Sequence, residues 1–223
     1  MLDKKNFYID GKWVSPIEPR SYKVIDPSNE NPCAEISLGG KKDIDKAVSA
    51  AKKAFETWAF SKKEERLDLL EKLYVVYKKR WAEMAKLITL EMGAPMKFST
   101  EMQAATGASH IKSFKNILKD FKFEKDLGEE KNNQKLLYEP KGVCALITPW
   151  NWPINQVNLK VIPALASACT VVLKPSEIAP LSSMLLAEMI DEVNFPSGVF
   201  NLVNGDGAET GDALTSHPDI DMI

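Results

Sequence analysis

The strongest constraint on the fold is a change of texture after residue 142. Val143 to Ile147, Thr170 to Leu173 and Val199 to Val203 are continuous apolar runs, not alternating ones. An alternating run suits a strand with one wet face, whereas a continuous one suits a strand covered on both faces, as in a parallel sheet. Helical segments separate the runs. One covers about Ile154 to Ser167, and the other covers Ser182 to Val193 with apolar Met184, Leu185, Met189 and Ile190. Met222-Ile223 begins a fourth run. The order β-α-β-α-β-(α)-β predicts an α/β fold built on a doubly wound, mostly parallel sheet.

The residues before this sheet read differently. Phe7-Tyr8-Ile9 and Lys12-Trp13-Val14, joined by Asp10-Gly11, predict a hairpin, because Asp-Gly tolerates the positive φ of a tight turn. Residues 15 to 40, rich in Pro and Gly, are expected to be irregular apart from a short strand at Tyr22 to Ile25. Three helices follow. The first is capped by Asp43 and lines up Ile44, Ala47, Val48, Ala51, Ala54 and Phe55. The second opens on a Ser61-to-Glu64 capping box, carries the stripe Leu67, Leu70, Tyr74, Tyr77, Trp81, and runs to Met92, where Gly93 and Pro95 stop it. The third covers about Thr100 to Leu118. The polar stretch around Lys131-Asn132-Asn133-Gln134 is an exposed turn between strands. The expected division is 1–125 for the hairpin and helices, 126–141 for a linking hairpin, and 142–223 for the parallel sheet. There is no internal repeat.

Composition narrows the partners. The 223 residues hold 29 Lys+Arg against 31 Asp+Glu, a net charge of -2, which argues against nucleic acid or an acidic membrane as partner. No apolar run reaches the roughly 18 residues of a spanning helix. The opening Met1 to Asp10 has no apolar core of a secretory signal. Cys33, Cys144 and Cys169 are an odd number at no metal spacing, which points to a reducing, cytoplasmic setting. Cys144 and Cys169 read as small buried hydrophobes, and His110 and His217 have no partner nearby in sequence.

Ligands of an open parallel sheet collect at the carboxyl ends of its strands, and three such ends carry unusual residues. They are Thr148-Pro149-Trp150-Asn151-Trp152-Pro153, Lys174-Pro175-Ser176-Glu177, and Asn204-Gly205-Asp206-Gly207-Ala208-Glu209-Thr210-Gly211. Each has a plain structural alternative. The two prolines can shape a turn, Lys174 and Glu177 can be a surface ion pair, and G-x-G-x-x-x-G after a third strand is a weak phosphate signal. On successive strand ends opening to one crevice, the three together point to a nucleotide site.

These same residues carry a resemblance. Ile147 to Pro153, Lys160, Pro163 to Ala166, Cys169 to Glu177 and Phe195 to Val203 are similar to the amino-terminal half of the NAD(P)-dependent aldehyde dehydrogenase superfamily. The likeness extends to Phe7–Val14, Leu90–Pro95 and Ser216–Asp221. The resemblance implies a Rossmann-like sheet that binds NAD rather than NADP. Asn151 then matches the asparagine that donates to an oxyanion, and Lys160 matches a lysine placed in a charge relay. Lys174 and Glu177, in a motif shared with Ser176, match the pair on the adenosine ribose. Ile147, Thr148, Pro149 and Trp150 line the nicotinamide side, and Gly207, Ala208 and Gly211 lie beside adenine and ribose. Lys131 to Glu139 matches a hairpin that joins subunits of a homo-oligomer. Ala168 stands where many members have Gly.

The resemblance also implies chemistry that these residues do not contain. An aldehyde is oxidised to a carboxylic acid through a thiohemiacetal on a cysteine, with a Glu activating water. The motifs bearing that Cys and Glu are not among the 223 residues. The chain is therefore expected to be the cofactor-binding portion of such an enzyme and inactive by itself. The alternatives are a non-catalytic nucleotide-binding or interaction module and a CoA-acylating member of the same family.

Overall fold

The computed structural model describes residues 1–128 and 134–223. The strands are β1 (Leu2–Lys4), β2 (Phe7–Ile9), β3 (Lys12–Val14), β4 (Ser21–Asp26), β5 (Asn31–Ser37), β6 (Glu124–Asp126), β7 (Lys135–Leu137), β8 (Val143–Ile147), β9 (Thr170–Lys174) and β10 (Phe200–Leu202). The helices are α1 (Lys41–Trp58), α2 (Lys63–Lys79), α3 (Trp81–Met92), α4 (Met96–Phe98), α5 (Ala104–Asp120), α6 (Pro153–Ala166), α7 (Leu181–Glu192) and α8 (Asp212–Thr215). A π-helical turn, Ser99–Gln103, joins α4 to α5.

The three apolar runs form the expected parallel core. Cys144 pairs with Val171 and Phe200 with Val171 across the β8-β9-β10 ladder, and Cys144 makes a further parallel bridge to Met222. Strand alternation sends Val143, Ala145, Val172 and Val203 to one face, against Ile44, Ala47, Val48 and Ala51 of α1. Cys144, Leu146, Val171, Leu173 and Leu202 face the larger core that includes α6 and α7. Both faces are covered, which is why the runs are apolar throughout. The chain steps from β8 to β9 to β10 in one direction, then returns to pair on the opposite side of β8 at Met222. That reversal places the topological switch point beside the carboxyl end of β8.

The opening hairpin is not a separate appendage. Asp10 and Gly11 take φ 55° and 71°, as a two-residue hairpin turn requires. β2 then pairs antiparallel with β10, so the hairpin extends the sheet into the order β3-β2-β10-β9-β8. Residues 15 to 40 are more ordered than expected. β4 and β5 pair antiparallel and, with β1 parallel to β5, form a second sheet.

The helix starts differ from expectation. The N-cap of α1 is Gly40, and Asp43 sits three residues later, accepting from the Gly40 N–H at 3.1 Å and the Ile17 N–H at 2.9 Å. The capping box at Ser61 does not form. Arg66 takes the Ser61 carbonyl at 2.7 Å and its hydroxyl at 3.0 Å, so a buried guanidinium outcompetes the local cap. The expected long helix to Met92 breaks at Arg80, whose guanidinium pairs with Glu83 at 2.8 Å and Glu188 at 2.6 Å. Its buried face is Leu69, Leu70, Leu73, Val76 and Tyr77, with Leu67 and Tyr74 at the margin. Gly93 ends α3 at φ 76°, as the sequence predicts.

At the end of α6, the Ala168 N–H donates to the Leu165 carbonyl at 3.2 Å and the Cys169 N–H to the Ala164 carbonyl at 3.0 Å. This is a Schellman cap, and its left-handed residue is Ala168 at φ 63°. Gly suits that position better, since a Cβ there costs about 1–2 kcal/mol. β6 and β7 form an exposed antiparallel hairpin. The turn expected at Lys131-Asn132-Asn133 lies outside the described residues.

Candidate functional site

The site begins where β8, β9 and β10 end. The Thr148 N–H donates to the Lys174 carbonyl at 3.3 Å, tying the first strand end to the second. Lys174 ties the second to the third, since its ammonium donates to the Gly205 carbonyl at 2.7 Å and to the Pro175 carbonyl at 3.1 Å. The three strand ends singled out in the sequence are therefore tied together next to the switch point. The Lys174 stem also approaches Gly211 of the Gly207–Gly211 turn, while Asn151 follows Thr148 on the first loop.

Lys174 is the central charge. Its side chain is 4% exposed, and Glu177 lies 3.8 Å away with its side chain 26% exposed. Burial pushes the Lys174 ammonium below the usual lysine range, while the charges of Glu177 and Asp206 pull it back up. An ammonium has three donors, and two are taken by carbonyls. Lys174 and Glu177 are thus a half-buried donor-acceptor pair at a crevice, not a loose surface ion pair. Ser176 is buried beside them, and its hydroxyl accepts from the Ile178 N–H at 3.3 Å. Burial, and secondarily the charge of Glu177, raise the Tyr22 phenol on β4.

The third loop is braced from the amino-terminal half. Asp206 caps the Gly207–Gly211 turn, accepting from the Glu209 N–H at 2.8 Å. Burial raises the Asp206 carboxyl, but the N–H groups of Glu209 and Thr210 and the Arg20 guanidinium outweigh it and hold the group low. Arg20 contacts Asp206 at 3.2 Å, Glu209 at 2.6 Å and the Gly39 carbonyl at 2.7 Å. The Gly39 N–H in turn donates to the Asn204 carbonyl at 2.8 Å. A Cβ on Gly39 would stand 2.5 Å from a Val203 methyl, so only glycine lets the backbone come this close. Gly207 faces open space, and Gly211 sits 3.9 Å from the Lys174 stem measured from an ideal Cβ. Ala208 is exposed beside them.

The first loop is the most open of the three. Trp150 is 49% exposed, and Pro149 and Asn151 are exposed. Trp152 anchors the turn by an edge-to-face contact with Phe98 at 5.4 Å, and Pro153 begins α6 at a position where proline costs no hydrogen bond. Asn151 therefore directly precedes a pinned ring and a helix start. The Thr148 hydroxyl is buried and has no hydrogen-bond partner among the described residues, a vacancy that a ligand polar group could fill.

Two predicted residues point elsewhere. The Lys160 ammonium donates to Gln156, to the side-chain oxygen at 3.2 Å, and Lys160 lines an apolar cavity of about 510 Å³ with Cys144, Cys169 and Met222. Ile147 lines that cavity as well. The structure does not bring Lys160 together with Lys174 and Glu177. A larger cavity of about 770 Å³, between β1, β3 and α7, is lined by none of the predicted site residues. Sequence reasoning missed Arg20 and Gly39, which brace the third loop from the amino-terminal half. The Gly39-Gly40 pair was the only signal available, and it looked like loop composition.

Comparison with known proteins fixes the relationship. The aldehyde dehydrogenase family profile matches residues 13–223. The chain belongs to the aldehyde dehydrogenase family. Among curated relatives of this dehydrogenase chain, the 3-succinoylsemialdehyde-pyridine dehydrogenase of a Pseudomonas species is 49% identical across 100% of the chain and 46% of the relative. Among solved structures, an aldehyde dehydrogenase from Bartonella henselae superposes with a TM-score of 0.96 at 56% identity, covering 99% of this chain and 46% of that one. Aldehyde dehydrogenase C of Pseudomonas syringae, solved with NAD+ and octanal, superposes with a TM-score of 0.95 at 43% identity, covering 98% and 44%. The chain thus spans about half the length of the aldehyde dehydrogenases it matches.

Proposed function

We propose that this chain is the cofactor-binding portion of an NAD-dependent aldehyde dehydrogenase that oxidises an aldehyde to a carboxylic acid. The observation that carries the reading is the meeting of three strand ends at the switch point, with Lys174 bonded to the Gly205 carbonyl at its centre. The residues present fit a dinucleotide. The Thr148 hydroxyl is buried without a partner, Gly207 opens to free space, and Lys174 with Glu177 offers a donor and an acceptor to a ribose diol. Structures of relatives solved with NAD+ support the same cofactor.

In this reading NAD supplies the hydride acceptor. Glu177 accepts from the ribose hydroxyls and Lys174 donates to them. Thr148 to Trp150 back the nicotinamide end, and Gly207, Ala208 and Gly211 leave room for the adenosine end. Asn151 donates its amide N–H to the oxygen that gains charge when a nucleophile adds to the aldehyde. Lys160, bonded to Gln156 one turn earlier on α6 and lining a separate cavity, is assigned a structural part on α6.

The nucleophile is assigned to the part of the family's length that these residues do not span. Cys144 and Cys169 are buried in the sheet, and Cys33 lies against the Val24 carbonyl with its thiol pushed up by burial. The exposed hairpin β6–β7 is assigned to contacts between subunits of a homo-oligomer in the cytoplasm, Leu136, Leu137 and Tyr138 being its exposed apolar residues.

Titration of residues 1–223 with NAD tests the reading. Saturable binding that Lys174→Ala weakens is the expected result, with no aldehyde-dependent NADH formation. Absence of NAD binding would overturn the assignment of the crevice, and NADH production abolished by thiol blocking would overturn the assignment of the nucleophile.

A further inference from the structure

Glu91 stands one residue before the end of α3 and is 1% exposed, yet its hydrogen-bond partners among the described residues are all neutral. One carboxylate oxygen accepts from the Leu181 N–H, and the other accepts from the Ser182 N–H at 3.1 Å. These are the first two residues of α7. The N-cap position of α7 is Pro180, which offers no side-chain cap. The first N–H groups of a helix have no partner within it, and a negative group there also meets the positive end of the helix dipole. Glu91 therefore does for α7 what a local Ser or Asp does for most helices, but from about 90 residues away in the chain.

The segment that α7 terminates is Lys174 to Pro180, which carries Ser176 and Glu177. Within it the Ala179 N–H reaches the Ser176 carbonyl and the Ile178 N–H reaches the Ser176 hydroxyl, each at 3.3 Å, the long end of the normal range. Beyond the Lys174 ammonium on the Pro175 carbonyl at 3.1 Å, the loop has only these long bonds of its own and is defined by its two ends. β9 holds one end through the sheet ladder. Glu91 holds the other.

We propose that Glu91 is a positioning residue for the ribose contact, fixing through the start of α7 where the loop ends and so where Glu177 meets the cofactor. This inference rests on the assignment of Glu177 to the ribose of NAD.

The test uses residues 1–223 as wild type, Glu91→Gln and Glu91→Leu. Two measurements are made, hydrogen exchange without ligand and NAD titration. Leu removes both acceptors, whereas Gln keeps one acceptor oxygen. In Glu91→Leu, exchange across 175–183 should rise roughly tenfold while the β8 and β9 amides keep their protection. NAD should bind about tenfold more weakly. Glu91→Gln should recover most of both effects, a rescue that a role in bulk packing would not show. Unchanged exchange at 175–183, exchange that rises equally everywhere, or unaltered NAD affinity beside a loosened loop would each overturn the proposal. Failure of the wild type to bind NAD would instead remove the reading of Glu177 on which it rests, and the positioning role with it, while the exchange data still report whether the cap exists.

Discussion

Residues 142–223 and residues 1–120 contribute to the crevice in different ways. The later segment supplies every group assigned to a ligand, namely Thr148, Asn151, Lys174, Glu177 and the Gly207–Gly211 turn. The earlier segment supplies what fixes them. Arg20 and Gly39 hold the third loop, Phe98 pins Trp152, and Glu91 caps α7. The chemistry of the site is thus written in short neighbouring motifs, while its geometry depends on contacts from about 50 to 190 residues away. If this division holds, changes in the later segment should alter chemistry or selectivity with little effect on folding, and changes in the earlier one should act through stability and loop order.

The largest expected effect tests the first half of that statement. In a protein carrying the full family length, Asn151→Ala should lower kcat by about 100-fold or more, near 3 kcal/mol, because the amide meets full charge only in the transition state. NAD affinity and melting temperature should change little, since Asn151 is exposed. Steady-state kinetics beside a cofactor titration decide the matter. Unchanged kcat with weakened NAD binding would move Asn151 from catalysis to the cofactor.

The next effect tests the second half. Burial pushes the Glu91 carboxyl up to about 7, although the hydroxyl and N–H of Ser182 and the Leu181 N–H oppose the shift. In the unfolded chain the same group titrates near about 4.3. The folded state therefore holds more protons between these values. The stability that Glu91 contributes is full below the unfolded value and is lost as pH rises through about 7, by up to about 4 kcal/mol. Among the described residues, the Cys33 thiol on β5 is raised, by burial first and in smaller part by the charge of Glu91. Urea unfolding between pH 5 and pH 8.5 should show this decline in wild type and a flatter profile in Glu91→Gln. Superimposable profiles would show that Glu91 does not shape the pH response.

How much was legible in the sequence follows the same division. Continuous apolar runs of five residues or fewer, rich in Val and Ile, suit strands covered on both faces, so β8, β9 and β10 and their order were readable, and with them the loops at their ends. The Asp10-Gly11 turn was readable because two successive positive φ values leave few residue choices. What was not readable depends on partners far away in sequence. Ser61 lost its cap to Arg66, and the long helix broke at Arg80, whose guanidinium reaches Glu188 on another helix. β5 was missed because Asn31-Pro32 masks a strand whose register is set by β4 and β1. Glu91 and Arg20 looked like ordinary charged residues, since nothing around them in sequence names the helix start or the turn they serve.

The smallest effect concerns which dinucleotide the crevice accepts. Glu177 follows the buried strand β9, and an ionised carboxylate there can accept from both ribose hydroxyls of NAD. A 2′-phosphate would bring a second negative group against it, at a cost exceeding the roughly 1–3 kcal/mol of a lost charged hydrogen bond. Lys174 holds the Gly205 carbonyl at 2.7 Å and the Pro175 carbonyl at 3.1 Å, which leaves a single N–H to offset this against the charge of Glu177. NAD should therefore be preferred over NADP by at least about tenfold, or roughly 1.4 kcal/mol. Glu177→Ser should narrow the gap chiefly by improving NADP, without changing the melting temperature, as expected of a residue in the chemical and not the supporting part of the site. Paired titrations of both dinucleotides measure it. Equal affinity in the unmutated protein, or an unaltered ratio in the variant, would mean that Glu177 does not read the ribose, and the ligand-facing role of this loop would pass to Lys174 alone.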